Sequence, residues 1–325
     1  MGNRLLEVKD LRTYFRITAG EVKAVDGVSF FLNDGESIGL VGESGCGKTT
    51  TALSVIKLLP ENGYIESGQI FFNGRDITNL ADRELLDFRW AECSMIFQGA
   101  MNALNPVQRV CDQIAEAILI HEDISKDAAM KRVKELFELV EIDPNLMQSY
   151  PHEFSGGMRQ RAIIAMALAC NPKLIIGDEP TTALDVMVQA QIIDLINDLR
   201  KKLHMSMIMI THDLSIITET CDRIAVMYAG KIVEHGRTDQ VVSKTLHPYT
   251  DKLIHAFPNI YKERQMVESI PGDPPNLLDP PTGCRFWPRC EYAKKGLCDV
   301  REPELKDMGG EHYVACHLRG GEGNE

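Results

Sequence analysis

A glycine-rich segment near the N-terminus constrains this chain more than any other feature. Residues 42–49 read Gly-Glu-Ser-Gly-Cys-Gly-Lys-Thr, between an apolar run at residues 37–41 and a helix-prone stretch at residues 49–59. Glycines let the backbone curl so that several amides converge on one anion, and the positive end of the following helix strengthens that field. The order of strand, glycine-rich loop and helix therefore predicts a site for a nucleoside triphosphate.

Individual residues of this loop have distinct expected contacts. Lys48 can reach the β- and γ-phosphates, and the hydroxyl of Thr49 can ligate Mg²⁺. The alternative is a glycine-rich turn without a ligand, which the strand before it and the helix after it disfavour. The residues predicted to contact the nucleotide here are Gly42, Ser44, Gly45, Cys46, Gly47, Lys48, Thr49 and Thr50.

Length and charge narrow the function classes. The chain has 325 residues, 44% of them apolar, which suffices for a large core and more than one domain. A formal net charge of -12 argues against a nucleic-acid partner, because binding to the phosphate backbone requires a basic surface. No apolar run approaches the roughly 20 residues of a membrane span. Charged residues near the N-terminus also interrupt the apolar stretch that a signal region would require. We predict a cytosolic chain that acts at a membrane only as a peripheral subunit.

The hydrophobic pattern predicts a mixed α/β fold. Residues 5–32 alternate as antiparallel strands do, and residues 80–170 are mostly helical in pattern. Short apolar runs at 174–177 and 207–210 suit buried parallel strands. After about residue 235 the composition changes, and six of the fifteen prolines fall within residues 271–288, which predicts an irregular extension.

An apolar run ends in two acids, Asp178 and Glu179. An acid at the carboxyl end of a strand near a phosphate loop can hold Mg²⁺ through its water shell, and Asp178 fits that role. Glu179 could orient or deprotonate an attacking water. As an isolated feature, the pair would be an ordinary turn at the end of a strand.

Three further features could complete such a site. His212 follows another apolar run and could bond the γ-phosphate, although a lone histidine is more often structural. Gln98 could sense Mg²⁺ or the attacking water, or simply cap a strand. Ser155-Gly156-Gly157 can begin a helix that binds a second anion, or an ordinary helix.

The order of these motifs resembles the nucleotide-binding subunit of ATP-binding-cassette transporters. The signature of that family is usually Leu-Ser-Gly-Gly-Gln, so this chain departs from it at Phe154 and Met158 but keeps the serine and both glycines. The motifs that carry the resemblance are residues 42–49, Gln98, Phe154-Ser155-Gly156-Gly157-Met158, Asp178-Glu179, Ala183-Leu184-Asp185 and His212.

Further motifs resemble the dipeptide and oligopeptide importers within that family. They are the segments 179–186, 189–191, 247–250 and 270–290, together with Phe97-Gln98 and Leu104-Asn105-Pro106. The resemblance implies an ATP-hydrolysing subunit that powers import of di- or oligopeptides. The alternatives are an importer of nickel or another solute in the same branch, and a cassette ATPase outside transport that acts in DNA repair or translation.

The resemblance also implies a fold and its domains. We expect a P-loop NTPase (RecA-like) core with an antiparallel β subdomain, a helical signature subdomain and an irregular Cys-rich C-terminal extension. The nucleotide-binding domain would span residues 1–235, with its helical subdomain at about 99–170, and the extension would span residues 236–325.

Implied partners and roles follow from the same likeness. Two ATPase subunits, expected to be paralogues, would pair head to tail, so that ATP lies between the loop of one and Ser155, Gly156 and Gly157 of the other. Two membrane permease subunits and an extracellular peptide-binding protein would complete the transporter.

The resemblance also implies roles for single residues. Phe15 by spacing, or else Tyr14, would stack on adenine. Glu179, His212 and Gln98 would be catalytic, Thr49, Gln98 and Asp178 would hold Mg²⁺, and Asp185 would belong to the D-loop.

Four cysteines cluster in the extension with the spacing C-x5-C-x7-C-x17-C, at Cys284, Cys290, Cys298 and Cys316. Four thiolates can bind one Zn²⁺ or a four-iron cluster, and zinc sites usually contain a tighter pair than any here. The resemblance points to a [4Fe–4S] cluster. Zinc and free or disulfide-linked thiols remain alternatives, and His312 or His317 could replace a thiol as ligand.

Overall fold

The structure is a computed structural model, and it describes residues 3–99, 103–182, 184–256 and 270–319. The strands in this part are β1 (Arg4–Ile17), β2 (Gly20–Asn33), β3 (Ser37–Val41), β4 (Gly63–Phe72), β5 (Arg75–Asp76), β6 (Cys93–Ile96), β7 (Leu174–Asp178), β8 (Ser206–Ile210), β9 (Arg223–Tyr228), β10 (Lys231–Arg237), β11 (Lys306–Asp307) and β12 (Tyr313–Val314). The helices are α1 (Lys48–Ile56), α2 (Asp82–Phe88), α3 (Val110–His121), α4 (Lys126–Leu139), α5 (Gly156–Ala167), α6 (Val186–Leu203), α7 (Leu214–Thr220), α8 (Thr238–Ser243) and α9 (Pro248–His255).

The chain divides into two compact units. The first comprises Met1–Thr78 and Ile210–Glu325, and the second comprises Asn79–Met209. In the first unit, β1 pairs antiparallel with both β2 and β4, giving a sheet in the order β2-β1-β4-β5. The predicted antiparallel strands at residues 5–32 are therefore confirmed.

A second set of strands in the first unit carries the glycine-rich loop. β3 pairs in parallel with β9, which continues antiparallel to β10, and β12 and β11 follow at the edge. All five residues of β3 are buried, as an apolar strand covered on both faces should be. β9 and β10 form an antiparallel pair connected by a turn at Ala229-Gly230.

The second unit is built from helices and from the strands β6, β7 and β8. β6 and β7 pair in parallel, and β8 lies on the other side of β7. In α4, Val133 and Phe137 are fully buried at helical spacing, so one apolar face of this helix packs inward. Together, the alternating strands and helices confirm the predicted α/β class.

The C-terminal extension is more regular than its composition predicts. It forms α8 and α9, and β12 pairs with β10 at Glu234↔Val314. Pro248 follows the N-cap residue His247, where a fixed φ suits the first turn of a helix. Buried polar pairs add local cohesion, since His312 Nε2 lies 2.8 Å from Glu234 Oε1. Within the described part of the extension, the proline-rich stretch from residue 270 to residue 305 contains no α-helix or β-strand.

None of the helices within the described ranges is long and apolar enough to cross a membrane.

Candidate functional site: a phosphate loop, an acidic strand end and a cysteine-rich tail

Two glycines of the loop are fixed by their surroundings. Gly42 has φ +149 and Gly47 has φ +105, conformations that residues with a side chain rarely adopt. A Cβ added at Gly42 would lie 2.1 Å from the carbonyl oxygen of Met227, and one added at Gly47 would lie 2.3 Å from that of Ala24. The loop therefore packs against β9 and β2 so closely that no side chain fits at these two positions.

Lys48 begins α1 and folds back over the loop. Its Nζ donates to the carbonyl oxygens of Gly42 and Glu43, at 2.8 and 3.0 Å, and lies 3.7 Å from Cys46 Sγ. The ammonium group is thereby held at the loop by two of the loop's own carbonyl oxygens. Burial raises the pKa of the Cys46 thiol, so it remains a neutral side chain that packs beneath the loop.

Other predicted loop contacts differ in exposure. Ser44, Gly45 and Thr49 are exposed, and Thr50 is partly exposed. The hydroxyl of Thr51, one turn into α1, instead donates to Gly47 O at 2.9 Å and tightens the helix start. Residues 44, 45 and 49 are thus the accessible part of the loop.

The two candidates for adenine stacking have different environments. Tyr14 is 8% exposed, and its hydroxyl donates to Asp26 Oδ1 at 2.9 Å. Phe15 is partly exposed and lies over Gly63, where an added Cβ would come 2.8 Å from the ring. Of the two rings, only that of Phe15 has an accessible part and no polar commitment of the kind that Tyr14 makes.

In the second unit, β7 ends at the two predicted acids. Asp178 is 2% exposed, whereas Glu179 is partly exposed and adopts φ +46. A positive φ is unusual for a residue other than glycine and costs about 1–3 kcal/mol when the surroundings impose it. The chain therefore leaves the regular strand conformation at Glu179, directly after β7.

Gln98 and Glu179 are brought together within this unit. Gln98 Nε2 donates to Glu179 Oε2 at 2.8 Å, and Thr182 Oγ1 donates to the same oxygen at 3.0 Å. Both donors are neutral, so they orient the carboxylate without neutralising it. Gln98, shortly after β6, and Thr182, in the turn after β7, therefore donate to the same carboxylate oxygen of Glu179.

The predicted second anion site lies at the start of α5. Ser155 is exposed, and its Oγ accepts from Met158 N at 3.3 Å as an N-cap. A Cβ at Gly157 would lie 2.9 Å from Val188 Cγ1 of α6, so a small residue is needed there. Phe154, which differs from the usual leucine of the signature, is buried and contacts Phe137 at a ring separation of 6.5 Å.

Asp185 and His212 lie at helix starts. Asp185 Oδ1 accepts from Val188 N at 3.0 Å and caps α6. His212 belongs to the first unit, is exposed, and precedes Asp213, the N-cap of α7. Ala183, part of the predicted D-loop motif, and residues 100–102 lie outside the described residues.

The four tail cysteines are neighbours but do not form a ready-made metal site. Burial and the thiols of Cys316, Cys290 and Cys298 raise the pKa of Cys284 to about 12, and burial raises that of Cys290 and Cys316. Across the described ranges, no three His, Cys, Asp or Glu side chains form a group that could hold a metal ion. The mutual effect of the thiols on pKa is compatible with the lack of a metal-binding group. Charges influence one another over roughly 10 Å, whereas a bound zinc ion lies only about 2.3 Å from each sulfur atom. The expected iron–sulfur cluster is therefore not confirmed.

The two tail histidines have other partners. His312 lies against Glu234, and His317 Nε2 is 2.8 Å from the carbonyl oxygen of Arg301. Both imidazoles therefore bond groups other than the cysteine thiols.

Three residues around the loop were missed as site residues. Arg289 pairs with Glu43 inside the loop, and Glu43 N donates to the hydroxyl of Tyr249 at 2.9 Å. Tyr249 and Arg289 fall in segments singled out only as marks of a protein branch. Glu43 follows the first glycine of the phosphate loop, at a position where the motif allows any residue and therefore gives no signal.

Comparisons with known proteins agree with this geometry. Residues 25–182 match the family "ABC transporter", and residues 233–298 match "Oligopeptide/dipeptide transporter, C-terminal region". The chain is 49% identical to the oligopeptide transport ATP-binding protein OppD of Bacillus subtilis, over 97% of this chain and 89% of that protein. It is 44% identical to the dipeptide transport ATP-binding protein DppD of the same organism, over 97% and 95% respectively.

A solved structure shares the fold. It is that of cbiO1 from Clostridium perfringens, part of the ABC transporter complex cbiONQ, with a TM-score of 0.65 and 26% identity over 74% of this chain and 92% of that one. Fold, site and comparisons together define an ATPase of the ABC type with a P-loop NTPase core. The chain belongs to the ABC transporter family, as an ATP-binding subunit of the branch that contains the oligopeptide and dipeptide transport ATP-binding proteins.

Proposed function

We propose that this chain is the ATP-hydrolysing subunit of an importer for di- or oligopeptides. The observation that carries the proposal is that one chain joins a phosphate loop with the geometry described above to the C-terminal region found in oligopeptide and dipeptide transporters. In this proposal the nucleotide-binding domain spans residues 1–235, with its helical subdomain at about 99–170, and the extension spans residues 236–325.

ATP would be held mainly by the loop. Amides of residues 44–49 and the ammonium of Lys48 bind the phosphates, and Phe15 stacks on adenine because its ring has the more accessible surface. Thr49, Asp178 and Gln98 would hold Mg²⁺, which when bound supplies charge stabilisation for the phosphates.

Hydrolysis would depend on Glu179. We assign it as the base that takes a proton from the attacking water, with Gln98 orienting its carboxylate and His212 donating to the γ-phosphate. The strained backbone of Glu179 and its two neutral donors support this role, since both fix the direction of one oxygen. Catalysis of this kind rests on positioning and electrostatics.

A second subunit would complete each site. Ser155, Gly156 and Gly157 begin α5 with no bulky side chain, and we assign them to the nucleotide on the loop of a partner, with Asp185 at the same face. The partner would be a paralogous ATPase subunit in a heterodimer. The remaining partners would be two membrane permease subunits and, indirectly, an extracellular peptide-binding protein, with this chain peripheral at the cytoplasmic face.

The four tail cysteines would hold a [4Fe–4S] cluster. The proposal is supported by the spacing of Cys284, Cys290, Cys298 and Cys316 and by the backbone contact of two of them, since Cys284 N donates to Cys298 O at 2.8 Å. An anaerobic preparation scanned from about 300 to 600 nm, with iron, sulfide and zinc assayed, tests this. Absorption near 400 nm with equal iron and sulfide supports the cluster, whereas zinc alone or no metal contradicts it and leaves the ATPase intact.

Reconstitution tests the transport function. The chain, its partner ATPase and the permease subunits would be placed in liposomes with the extracellular binding protein, and phosphate release would be measured. We expect stimulation by di- or oligopeptides. Stimulation by nickel and not by peptides would support the alternative solute, and stimulation by nucleic acid without permeases would support a role outside transport.

A further inference from the structure

An arginine of the cysteine-rich tail reaches into the phosphate loop. Arg289 Nη1 donates to Glu43 Oε2 at 2.7 Å, and Arg289 Nη2 donates to Glu43 Oε1 at 3.0 Å. The side chain of Arg289 is 6% exposed and that of Glu43 is 25% exposed, so water screens this ion pair less than a surface pair. Two parallel bonds also fix the geometry of the carboxylate.

The tail holds Arg289 in place. Its Nε donates to Pro271 O at 2.8 Å, Nη2 reaches Ile270 O at 3.3 Å, and Nη1 reaches the hydroxyl of Tyr228 at 3.2 Å. The backbone carbonyls of one tail segment therefore orient the guanidinium that another tail segment supplies. Such an arginine is preorganised, since few of its rotamers satisfy all these contacts.

Glu43 is held by all three of its polar groups. Its amide donates to Tyr249, its carboxylate accepts from Arg289, and its carbonyl oxygen accepts from Lys48 Nζ at 3.0 Å. Glu43 thus bonds both the guanidinium of Arg289 and the ammonium group of Lys48, which we assign to the phosphates. A change at Arg289 therefore alters the residue whose carbonyl oxygen accepts from Lys48.

A buried aromatic cluster lies beside these contacts. The ring centroids of Tyr228 and Tyr249 are 4.6 Å apart, and Phe286 of the tail contacts them at 5.2 and 5.3 Å. A second arginine, Arg285, donates to Ala229 O, and the next residue, Gly230, donates to Cys46 O at 2.9 Å. The tail segment between residues 284 and 290 therefore supports the loop at two points.

We propose that Arg289 is a positioning residue for nucleotide binding, which acts through Glu43 to hold the phosphate loop and Lys48 in their binding geometry. The inference rests on the proposed binding of ATP by residues 42–49. Without the ion pair, the loop samples more conformations, and ordering them on binding weakens the affinity. The tail then contributes to ATP binding through Arg289.

Nucleotide titrations of the full chain test this with a fluorescent ATP analogue. The variants are Arg289→Gln, Arg289→Lys, Glu43→Gln and the double variant Arg289→Gln/Glu43→Gln. We expect Arg289→Gln and Glu43→Gln each to raise Kd by roughly 5- to 50-fold, within the usual range of coupling between sites. The double variant should bind no more weakly than the single ones, because both remove the same interaction. Arg289→Lys keeps the charge but not the paired bonds and should fall in between.

The matched control is Glu291→Gln. Glu291 lies two residues beyond Arg289 and pairs with Lys252 at 3.0 Å, but its side chain is 57% exposed and this ion pair joins the tail to α9. Its substitution should leave Kd unchanged. Melting temperatures of all variants, measured by circular dichroism, separate lost folding from weakened binding.

Three results would overturn the inference. They are an unchanged Kd in both Glu43→Gln and Arg289→Lys, additive effects in the double variant, and a lowered melting temperature with normal Kd in the folded protein. If Arg289→Gln does not fold, Glu43→Gln carries the test, because it leaves the carbonyl contacts of Arg289 in place. Failure of the unaltered chain and of Glu291→Gln to bind nucleotide would instead contradict the proposed function itself.

Discussion

Gln98 Nε2 donates to Glu179 Oε2 at 2.8 Å, a contact between residues 81 positions apart in the sequence. One residue ends an apolar strand and the other follows an acidic strand end, so neither position alone indicates that they meet. Thr182 Oγ1 donates to the same oxygen of Glu179 at 3.0 Å. We therefore interpret Gln98 as the residue that sets the direction of the proposed base.

Gln98→Ala should slow hydrolysis without weakening the binding of Mg²⁺-free ATP, because the loop and Lys48 hold the phosphates. The loss of one hydrogen bond of about 1–1.5 kcal/mol corresponds to a fall in kcat of roughly tenfold if it acts only in the transition state. Steady-state kinetics of the assembled transporter measure this. Gln69→Ala is the control, because Gln69 is an exposed amide that bonds Asp76 on β5. A higher KM with unchanged kcat would contradict the assignment.

Gly47→Ala should disrupt the phosphate loop. The added methyl would come 2.3 Å from Ala24 O at a φ of +105, and the strain should lower the free energy of unfolding by about 1–3 kcal/mol or more. ATP binding should be lost as the loop shifts. Gly35→Ala separates strain from collision, because Gly35 has φ +74 but nothing within 4 Å of its added Cβ. Urea unfolding and nucleotide titration of both variants check the prediction.

Ser155→Ala should affect hydrolysis in the partner's site. As an N-cap, Ser155 contributes about 1 kcal/mol to stability. Ser125 caps α4 with the same bond, from Ala128 N at 3.2 Å, so Ser125→Ala should cost similar stability. Only Ser155→Ala should then lower phosphate release from a mixed pair whose other signature helix is intact. Equal ATPase activity of the two variants would refute the assignment of this helix start to nucleotide.

Acid should destabilise the core of the first unit through buried histidines. Burial lowers the pKa of His247 to about 4 and that of His235 to about 3, from an ordinary value of 6.5. Between pH 6.5 and these values the unfolded chain binds more protons than the folded chain, so stability falls as pH falls. Each histidine contributes about 1.4 kcal/mol per pH unit in this window.

Urea unfolding between pH 7.5 and 5 measures that slope. His247→Asn should reduce it by about one proton, while the amide can still cap α9 by accepting from Tyr249 N. His204→Asn is the control, because His204 is exposed at the end of α6 with φ +53, a conformation that asparagine tolerates. An unchanged slope in His247→Asn would contradict the assigned pKa direction.

The sequence was sufficient for the parts of the fold that depend on local pattern. The glycines of residues 42–49 and the apolar run of β3 are unambiguous together, because few other structures need that spacing. The run that ends at Asp178 likewise predicts β7. The two helices α8 and α9 were missed, since their residues lie next to a proline-rich segment that dominates the composition.

Long-range polar contacts were beyond the reach of local pattern. Glu43 and Arg289 are 246 residues apart, and a variable loop residue gives no signal that a tail arginine will pair with it. The contact of Gln98 with Glu179 was missed for the same reason. In the tail, spacing indicated that four cysteines belong together, but it could not specify how closely their sulfur atoms approach.

Glu179 is assigned to hydrolysis and not to binding, and Glu179→Gln is the variant that separates these two roles. Phosphate release and nucleotide Kd would be measured on the assembled transporter beside Glu141→Gln, since Glu141 also has a positive φ, at +59, and pairs with Arg161. We expect Glu179→Gln to keep its Kd and to lose roughly 10²- to 10⁴-fold in kcat, the usual contribution of a general base. An undiminished kcat in Glu179→Gln would contradict this assignment.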